Sequence, residues 1–312
     1  MTNLTTHQSP DPTKRVRYFD GQMLTAKDLT QDQAYFLEHN RRHNRTLHGY
    51  GTVCGLAVSA RRTAEGVEVV VSPGLAIDPV GREIHVPEAQ RVTAEDLDDW
   101  IAQHKEDVTE PRGEPLRSLS LTLVICYAER ETDPVPAPGD PCGTEEESSV
   151  PSRIADSFEL RLTLDPPAQA EEEAVRRFGD LLRRIEITAG PEDHVTAEQM
   201  ANLVRGLVRG LGPGPKLRSK RSDPGTLRLH PDEAHQILQV AFRVWVTEVR
   251  PGLLGDGVEC AAVPGHAGVA LARLEVPLGE SWEMTGEVQV HQDDRPILLH
   301  TRLLQEWLAV GQ

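Results

Sequence analysis

The first strong pattern along the chain is helical and lies between residues 25 and 48. Positions spaced three or four apart form a single stripe. The stripe consists of Leu29, Gln33, Phe36, Asn40, His43 and Leu47. Thr25 and Asp28 form a capping box that starts the helix, and Gly49 suits the left-handed position that ends it. The sequence predicts a helix with one partly apolar stripe, which either contacts a polar partner or packs on a loop-rich surface.

After Gly49 the pattern changes to the two-residue period of β-strands. Residues 66–71 are rich in valine, and a turn over 78–81 carries proline and glycine. Residues 119–127 form an apolar run that is typical of a strand buried on both faces. We therefore predict an α+β fold, in which residues 15–166 form an N-terminal helix plus an antiparallel β-sandwich or barrel-like unit.

Three further segments complete the predicted organisation. Residues 1–14 are polar and contain two prolines, so we expect a disordered tail. Residues 129–152 are rich in proline and predict a long loop, of the kind that is either functional or disordered. Residues 167–312 predict a second domain of mixed helices and strands, which ends in a docking helix over 296–308 opened by Pro296.

The C-terminal helix is too apolar for a free tail. Leu299, Leu303 and Trp307 recur at four-residue spacing, so they share one face of the helix. Such a face docks on its own chain or on a neighbour. The predicted interaction residues are Phe36, Asn40, His43, Leu47, Leu299, Leu303 and Trp307.

Charge and hydropathy narrow the possible partners. The 312 residues include 33 Lys and Arg against 49 Asp and Glu, a formal net charge of −16. Sequence-independent nucleic-acid binding needs a surplus of positive charge, so we expect no nucleic-acid partner. No run approaches the ~18 uncharged apolar residues of a membrane span. Residues 1–7 lack the apolar core of a signal peptide, which predicts a cytoplasmic protein.

The candidate chemical residues are His39, His43, His48 and Cys54. His39 and His43 share one helical face, whereas His48, nine residues from His39, is expected on the opposite side. The chain has no Cys-x-x-Cys pair, zincin arrangement or nucleophile elbow. We predict no catalytic residue, no metal and no cofactor, while a metal-dependent hydrolase that uses some of these residues remains an alternative.

Three stretches together resemble a bacterial family that is encoded with phage-tail-like contractile injection systems. They begin at Arg17-Tyr18-Phe19-Asp20-Gly21-Gln22-Met23-Leu24, at Val71-Ser72-Pro73-Gly74-Leu75-Ala76-Ile77-Asp78 and at Arg295-Pro296-Ile297-Leu298-Leu299-His300. The order of an aromatic–Gly–Leu turn, a helix and a Pro-Gly-x-Ala-x-Asp strand is also similar to the shell domain of type VI secretion baseplate adaptors. Related phage receptor-binding proteins share this order.

The resemblance implies a structural component of a contractile injection particle: a baseplate, fibre-attachment or accessory adaptor protein. Its expected partners are other subunits of the particle and further copies of the chain. Its expected location is the cytoplasm, where it assembles into a particle that can later be released. The alternatives are a metal-dependent hydrolase and a carbohydrate- or ligand-binding module from the same gene cluster.

Overall fold

The computed structural model describes most of the chain. The described residues are 10–64, 66–105, 118–136, 149–167, 169–190, 193–211, 225–254, 267–279, 282 and 284–310, with side chains described only to residue 305 in the last helix. Contacts divide the chain into two compact units, one of Met1–Pro167 with Ala262–Gln312 and one of Ala168–Ala261. This differs from the predicted continuous domain over 167–312, because residues 262–312 belong with the N-terminal part.

Helices and strands alternate irregularly along the chain, as the predicted α+β class requires. The helices are α1 Ala26–His43, α2 Ala94–Gln103, α3 Ala170–Arg183, α4 Ala197–Gly206, α5 Pro231–Val244, α6 Arg250–Leu254 and α7 Thr301–Val310. The strands are β1 Gly51–Gly55, β2 Val58–Thr63, β3 Gly66–Val71, β4 Gly74–Ile77, β5 Glu83–Val86, β6 Gln90–Val92, β7 Ser118–Pro136, β8 Ser149–Thr163, β9 Ile185–Ile187, β10 Leu227–Leu229, β11 Gly268–Pro277 and β12 Gln289–His291.

The first unit is built on antiparallel sheets that are not closed into a barrel. Their strand orders are β1-β4-β5, β2-β3-β6 and β12-β11-β7-β8. Apolar side chains from all three sheets and from α2 form one core. The prediction of a strand buried on both faces is confirmed, because every residue from Leu121 to Cys126 is buried.

The β7–β8 hairpin extends well beyond this core. The predicted loop 129–152 is wrong over 129–136 and 149–152, which pair in register from Glu129–Asp156 to Pro136–Ser149. Pro134 faces Pro151, and facing prolines fit a non-hydrogen-bonded pair, whose N–H positions point away from the partner strand. Residues 137–148 of the predicted loop lie outside the described residues.

The second unit is mostly helical. Its core contains Met200, Val204, Leu229 and Ile237, which come from three helices or strands around the short parallel pair β9–β10. The helix that begins at Pro231 does not end with α5 at Val244. It continues instead through a π-helical turn, Trp245–Val249, into α6. Pro251, which lacks a backbone N–H, is the second residue of α6, just after the π-helical turn.

Both chain ends differ from the predictions. Residues 1–9 of the predicted disordered tail lie outside the described residues, while the Asp11 backbone N–H donates to Gln31 Oε1 at 2.9 Å and fixes the next few residues on α1. The docking helix begins at Thr301 rather than at Pro296. Among the described residues, every helix is too short or too polar to traverse a lipid bilayer.

The core residue Leu274 allows a test of this architecture. Its side chain is fully buried in the central strand β11, so Leu274→Ala removes buried apolar atoms and leaves a cavity. We expect a loss of about 2–5 kcal/mol in the free energy of unfolding. Urea unfolding followed by circular dichroism measures this loss. Leu303→Ala, at an exposed position of α7, is the control and should leave the transition unchanged.

Candidate interaction surface

Helix α1 packs on its own chain with its polar side. The half-buried residues of this helix include Gln31, Asp32 and Tyr35. Asp32 accepts a hydrogen bond from the Tyr18 hydroxyl at 3.0 Å, and Gln31 donates to the backbone oxygens of Asp11 and Lys14. The helix contains no buried residue. Its attachment therefore depends on hydrogen bonds rather than on buried apolar area.

The predicted stripe of α1 lies on the opposite, outward side. All six of its residues, from Leu29 to Leu47, are exposed. Phe36 is 59% exposed and Leu47 is 69% exposed. An amphipathic helix in a self-contained protein normally turns its apolar stripe towards the core. Here the orientation is reversed, so the stripe is available to another molecule.

A π-helical turn over Asn44–His48 attaches the C-terminal end of α1 to the β4–β5 turn. The buried Asn44 side-chain amide donates to the Gly81 oxygen and to Glu83 Oε1, both at 3.2 Å. Arg45 Nε donates to the Pro79 oxygen at 2.7 Å. Gly81 has φ +95°, and a Cβ atom at this position would lie 2.0 Å from the Arg41 oxygen. Only glycine permits this close approach of the turn to the helix.

Asp78 holds the turn in the shape that receives α1. Its side chain is fully buried, and Oδ1 accepts from the backbone N–H groups of Val80 and Arg82, each at 2.9 Å. Oδ2 accepts from Arg82 Nε at 2.6 Å. The Arg82 guanidinium in turn lies 4.7 Å from the centre of the Tyr127 ring in β7. The turn is thus fixed by contacts from its own residues and from β7.

The segment over residues 289–300, which we call the C-terminal segment, attaches to β1 and β2. Ile297 forms a parallel bridge with Thr52, and the Leu298 N–H donates to the Thr52 oxygen at 2.8 Å. The side-chain amide of Gln292 accepts from the Val58 N–H and donates to the Val58 oxygen, both at 3.1 Å. These contacts keep Pro296–Leu298 extended, which explains why the helix begins later than predicted.

Arg295 is the buried centre of this attachment. Its guanidinium donates to Thr52 Oγ1 at 2.7 Å, to the Leu56 oxygen at 2.8 Å and to the Gly55 oxygen at 2.7 Å. Burial lowers the pKa of Arg295 from its usual value, although an arginine remains charged at neutral pH. Gly55 and Leu56 have φ +61° and +54°, so the two carbonyl groups that receive the guanidinium lie in an unusual left-handed stretch.

The C-terminal segment brings further apolar side chains next to α1. A Cβ atom on Gly49, just after the π-helical turn, would lie 3.7 Å from Leu298 Cδ2. Leu299 and Leu303 are each 57% exposed. The Trp307 side chain lies outside the described residues. We use the name terminal surface for the exposed α1 stripe together with Ile297, Leu299, Leu303 and Leu304.

The histidines are arranged differently from the prediction. His48 was expected on the side of the helix opposite to His39 and away from His43. The π-helical turn instead brings the rings of His43 and His48 to a centroid distance of 5.5 Å, because its wider turn aligns residues five apart. His39 lies 3.1 Å from Arg42 Nη2. Within the described part of the chain, three or more His, Cys, Asp or Glu side chains are nowhere grouped as metal ligands would be.

The second unit contains an open groove that bears on the ligand-binding alternative. Its volume is about 510 Å³, and it is lined by Asp193, His194, Val195, Gln199, Asn202, Leu203 and Arg209. Most of these polar side chains are exposed, whereas small-molecule sites bury most of the ligand and use a few fixed polar groups.

Sequence reasoning found the outward stripe but missed the residues that position it. The sequence analysis assigned no positioning role to Arg295, Gln292, Asp78 or Gly81, although the predicted turn and the resemblance include three of them. Arg295, Gln292 and Gly81 act through contacts to backbone atoms far along the chain, which a sequence pattern does not reveal. The cluster of glycines at 49, 51 and 55 was a usable signal, since glycine marks positions of close backbone approach. Comparison with known protein families and with curated proteins found no match to this chain.

The close approach at Gly81 generates a prediction for α1. Gly81→Ala places a Cβ atom against Arg41 and strains a left-handed backbone, at a cost of about 1–3 kcal/mol. We expect amide exchange over residues 26–48 to accelerate by about tenfold or more, measured by mass spectrometry. Gly206→Ala, where an added Cβ meets nothing within 4 Å, is the matched control and should leave exchange in α1 as it is.

Arg295 provides a second test. Arg295→Lys keeps the charge but loses the planar fork that reaches several acceptors at once. We expect the first unit to lose about 2 kcal/mol of stability, since hydrogen bonds from a charged donor are lost, and exchange over residues 289–300 to rise. Arg62→Lys, at an exposed position of β2, is the control. Equal stability of the two variants would contradict the role given to Arg295.

Proposed function

We propose that this protein is a structural, non-enzymatic component of a phage-tail-like contractile injection particle, in a baseplate, fibre-attachment or accessory adaptor position. It is made in the cytoplasm and binds other subunits of the particle through the terminal surface. The resemblance of residues 17–56, 71–84 and 295–305 to a family encoded with such particles supports this assignment.

The reversed orientation of α1 is the observation that carries the proposal. Polar contacts attach the helix, while Leu29, Phe36 and Leu47 face away from the core. A helix that buried this stripe on its own chain would gain roughly 25 cal/mol for each Å² of apolar surface removed from water. Because the stripe stays exposed, this free energy is gained only when a partner covers it. A subunit that is soluble before assembly and docks afterwards needs such a surface.

The attachment sites explain how the surface is held ready for a partner. Asp78 and Gly81 fix one end of α1, and Arg295 fixes the C-terminal segment beside it. A rigid, preformed surface loses less conformational entropy on binding than a flexible one. The proposal therefore assigns Arg295 and Asp78 to positioning, and the exposed apolar side chains to contact.

Binding assays with the particle's own subunits test the proposal. The double variant Phe36→Ser/Leu47→Ser should lower affinity for tail or baseplate subunits by about tenfold or more, because buried aromatic anchors dominate most interfaces. Its unfolding transition should match the unchanged protein, since both side chains are already exposed. Co-purification and titration of the separate subunits measure the effect.

The control carries equivalent changes away from the terminal surface. Val175→Ser/Val246→Ser alters two exposed apolar residues of the second unit and should leave binding unchanged. Equal affinity of all three proteins would contradict the role of α1. Stoichiometric zinc in the purified protein would instead favour the hydrolase alternative, and retention of a sugar by a protein that binds no subunit would favour the ligand-binding alternative.

A further inference from the structure

The outer part of the β7–β8 hairpin is a ribbon of only two strands. β11 pairs with β7 as far as Cys126, so residues 128–136 and 149–157, which we call the distal ribbon, have no third strand among the described residues. Most of its residues are exposed. A two-stranded ribbon is at best marginally stable in water, so a partner that covers it would stabilise it.

The two faces of the distal ribbon carry opposite charge. The Tyr127 hydroxyl lies within hydrogen-bonding distance of both Glu129 and Asp156, which places these two carboxylates on one face, and Glu131 follows by strand alternation. Burial and the two carboxylates raise the pKa of Tyr127, so the hydroxyl remains protonated and bridges them. Arg130 alternates to the other face.

The pairing register places Arg153 on the same face as Arg130. Arg153 pairs with Thr132, and Arg130 pairs with Ala155. The two guanidinium groups are therefore diagonal neighbours across the strands. One face is acidic and the other is basic over the same short length of ribbon.

Few contacts in the described part of the chain neutralise these charges. On the acidic face, Glu129 and Asp156 are directly opposite each other, an arrangement that destabilises an isolated ribbon. Arg41 approaches Glu129 at 3.9 Å. On the basic face, no ion pair is seen between Arg130 or Arg153 and any carboxylate in the described part of the chain.

The two faces also match in shape. Ile154 stands 68% exposed on the acidic face, opposite Glu131. The basic face carries the small residues Ala128 and Ala155, which leave room above the strands. Because stacked sheets lie about 10 Å apart, a large side chain on one face fits best over small side chains on the other.

We propose that the distal ribbon is a self-association site, in which the acidic face of one copy stacks on the basic face of the next. An acidic partner would cover only one face and a basic partner only the other, whereas a second ribbon of this chain satisfies both. The contact is heterologous, so it leaves one acidic and one basic face free at its ends and adds further copies until a ring closes. The site shares no residue with the terminal surface and does not depend on the proposed function.

Two charge-swapped variants of the full chain test this site. Arg130→Glu/Arg153→Glu makes both faces acidic, and Glu131→Lys/Asp156→Lys makes both faces basic. We expect each variant alone to self-associate at least about tenfold more weakly than the unchanged protein, because like charges then face each other. An equimolar mixture of the two should associate again. Sedimentation velocity over a range of concentrations measures all three samples.

Salt and a matched control complete the experiment. Association of the unchanged protein should weaken between about 0.05 M and about 1 M salt, where the screening length falls to ~3 Å. Arg176→Glu/Arg183→Glu changes the net charge equally on α3 of the second unit and should associate like the unchanged protein. Circular dichroism verifies that each variant is folded.

Three results would overturn the proposal. They are an unchanged protein that sediments as a single chain at every concentration and salt, charge-swapped variants that associate as strongly as the unchanged protein, and a mixture that remains dissociated although both variants are folded. A fourth result would also overturn it: binding of the single-chain protein to an unrelated acidic or basic partner through this ribbon.

Discussion

The first unit depends on one buried guanidinium. Arg295 joins β1 and the left-handed stretch after it to a segment about 240 residues later in the chain. The acceptors described for it include hydroxyl, amide and carbonyl oxygens, and each fixes the direction of one N–H group of the planar guanidinium. Burying the guanidinium carries a desolvation cost, and only an arrangement that satisfies several donors at once offsets that cost.

The same constraint determines what the protein presents to its surroundings. Arg295, Asp78 and Gly81 position the terminal surface through contacts on the side that faces the first unit. Helix α1 therefore does not need its apolar stripe for attachment to its own chain. Under the proposed function, stability and recognition are thereby assigned to different side chains. A change in the outward stripe is then expected to weaken binding at little cost in stability, whereas a change at Arg295, Asp78 or Gly81 is expected to lower both.

The sequence predicted those features that are encoded locally. Thr25 and Asp28 form the capping box that their spacing indicated, and the apolar run after residue 119 became a buried strand. The stripe of α1 was also identified, but the sequence did not determine which side of the helix would face the chain. That orientation depends on Asn44 and Gly81, which meet across 37 residues, and a periodicity contains no information about such contacts.

Two predictions that relied on prolines, the loop over 129–152 and the helix start at Pro296, were wrong in part. Proline-rich sequence usually indicates a loop, but Pro134 and Pro151 face each other across the strands, so their missing N–H groups cost the hairpin little. The position of α7 was missed for a related reason. Proline is common at the first position of helices, so Pro296 was expected to start one. Here Ile297 forms an extended bridge with Thr52 instead, and this long-range contact overrides the local preference.

The first unit is formed by two separate parts of the chain, and this arrangement has a consequence for biosynthesis. β11 lies between β12 and β7 in its sheet, and it is translated only after the entire helical unit over Ala168–Ala261. The helical unit, being continuous, can fold as it emerges from the ribosome. Until β11 has been translated, one long edge of β7 in the larger unit has no partner strand, and such an edge is prone to aggregate. We therefore expect completion of this sheet, which joins strands far apart along the chain, to be the slow step of folding.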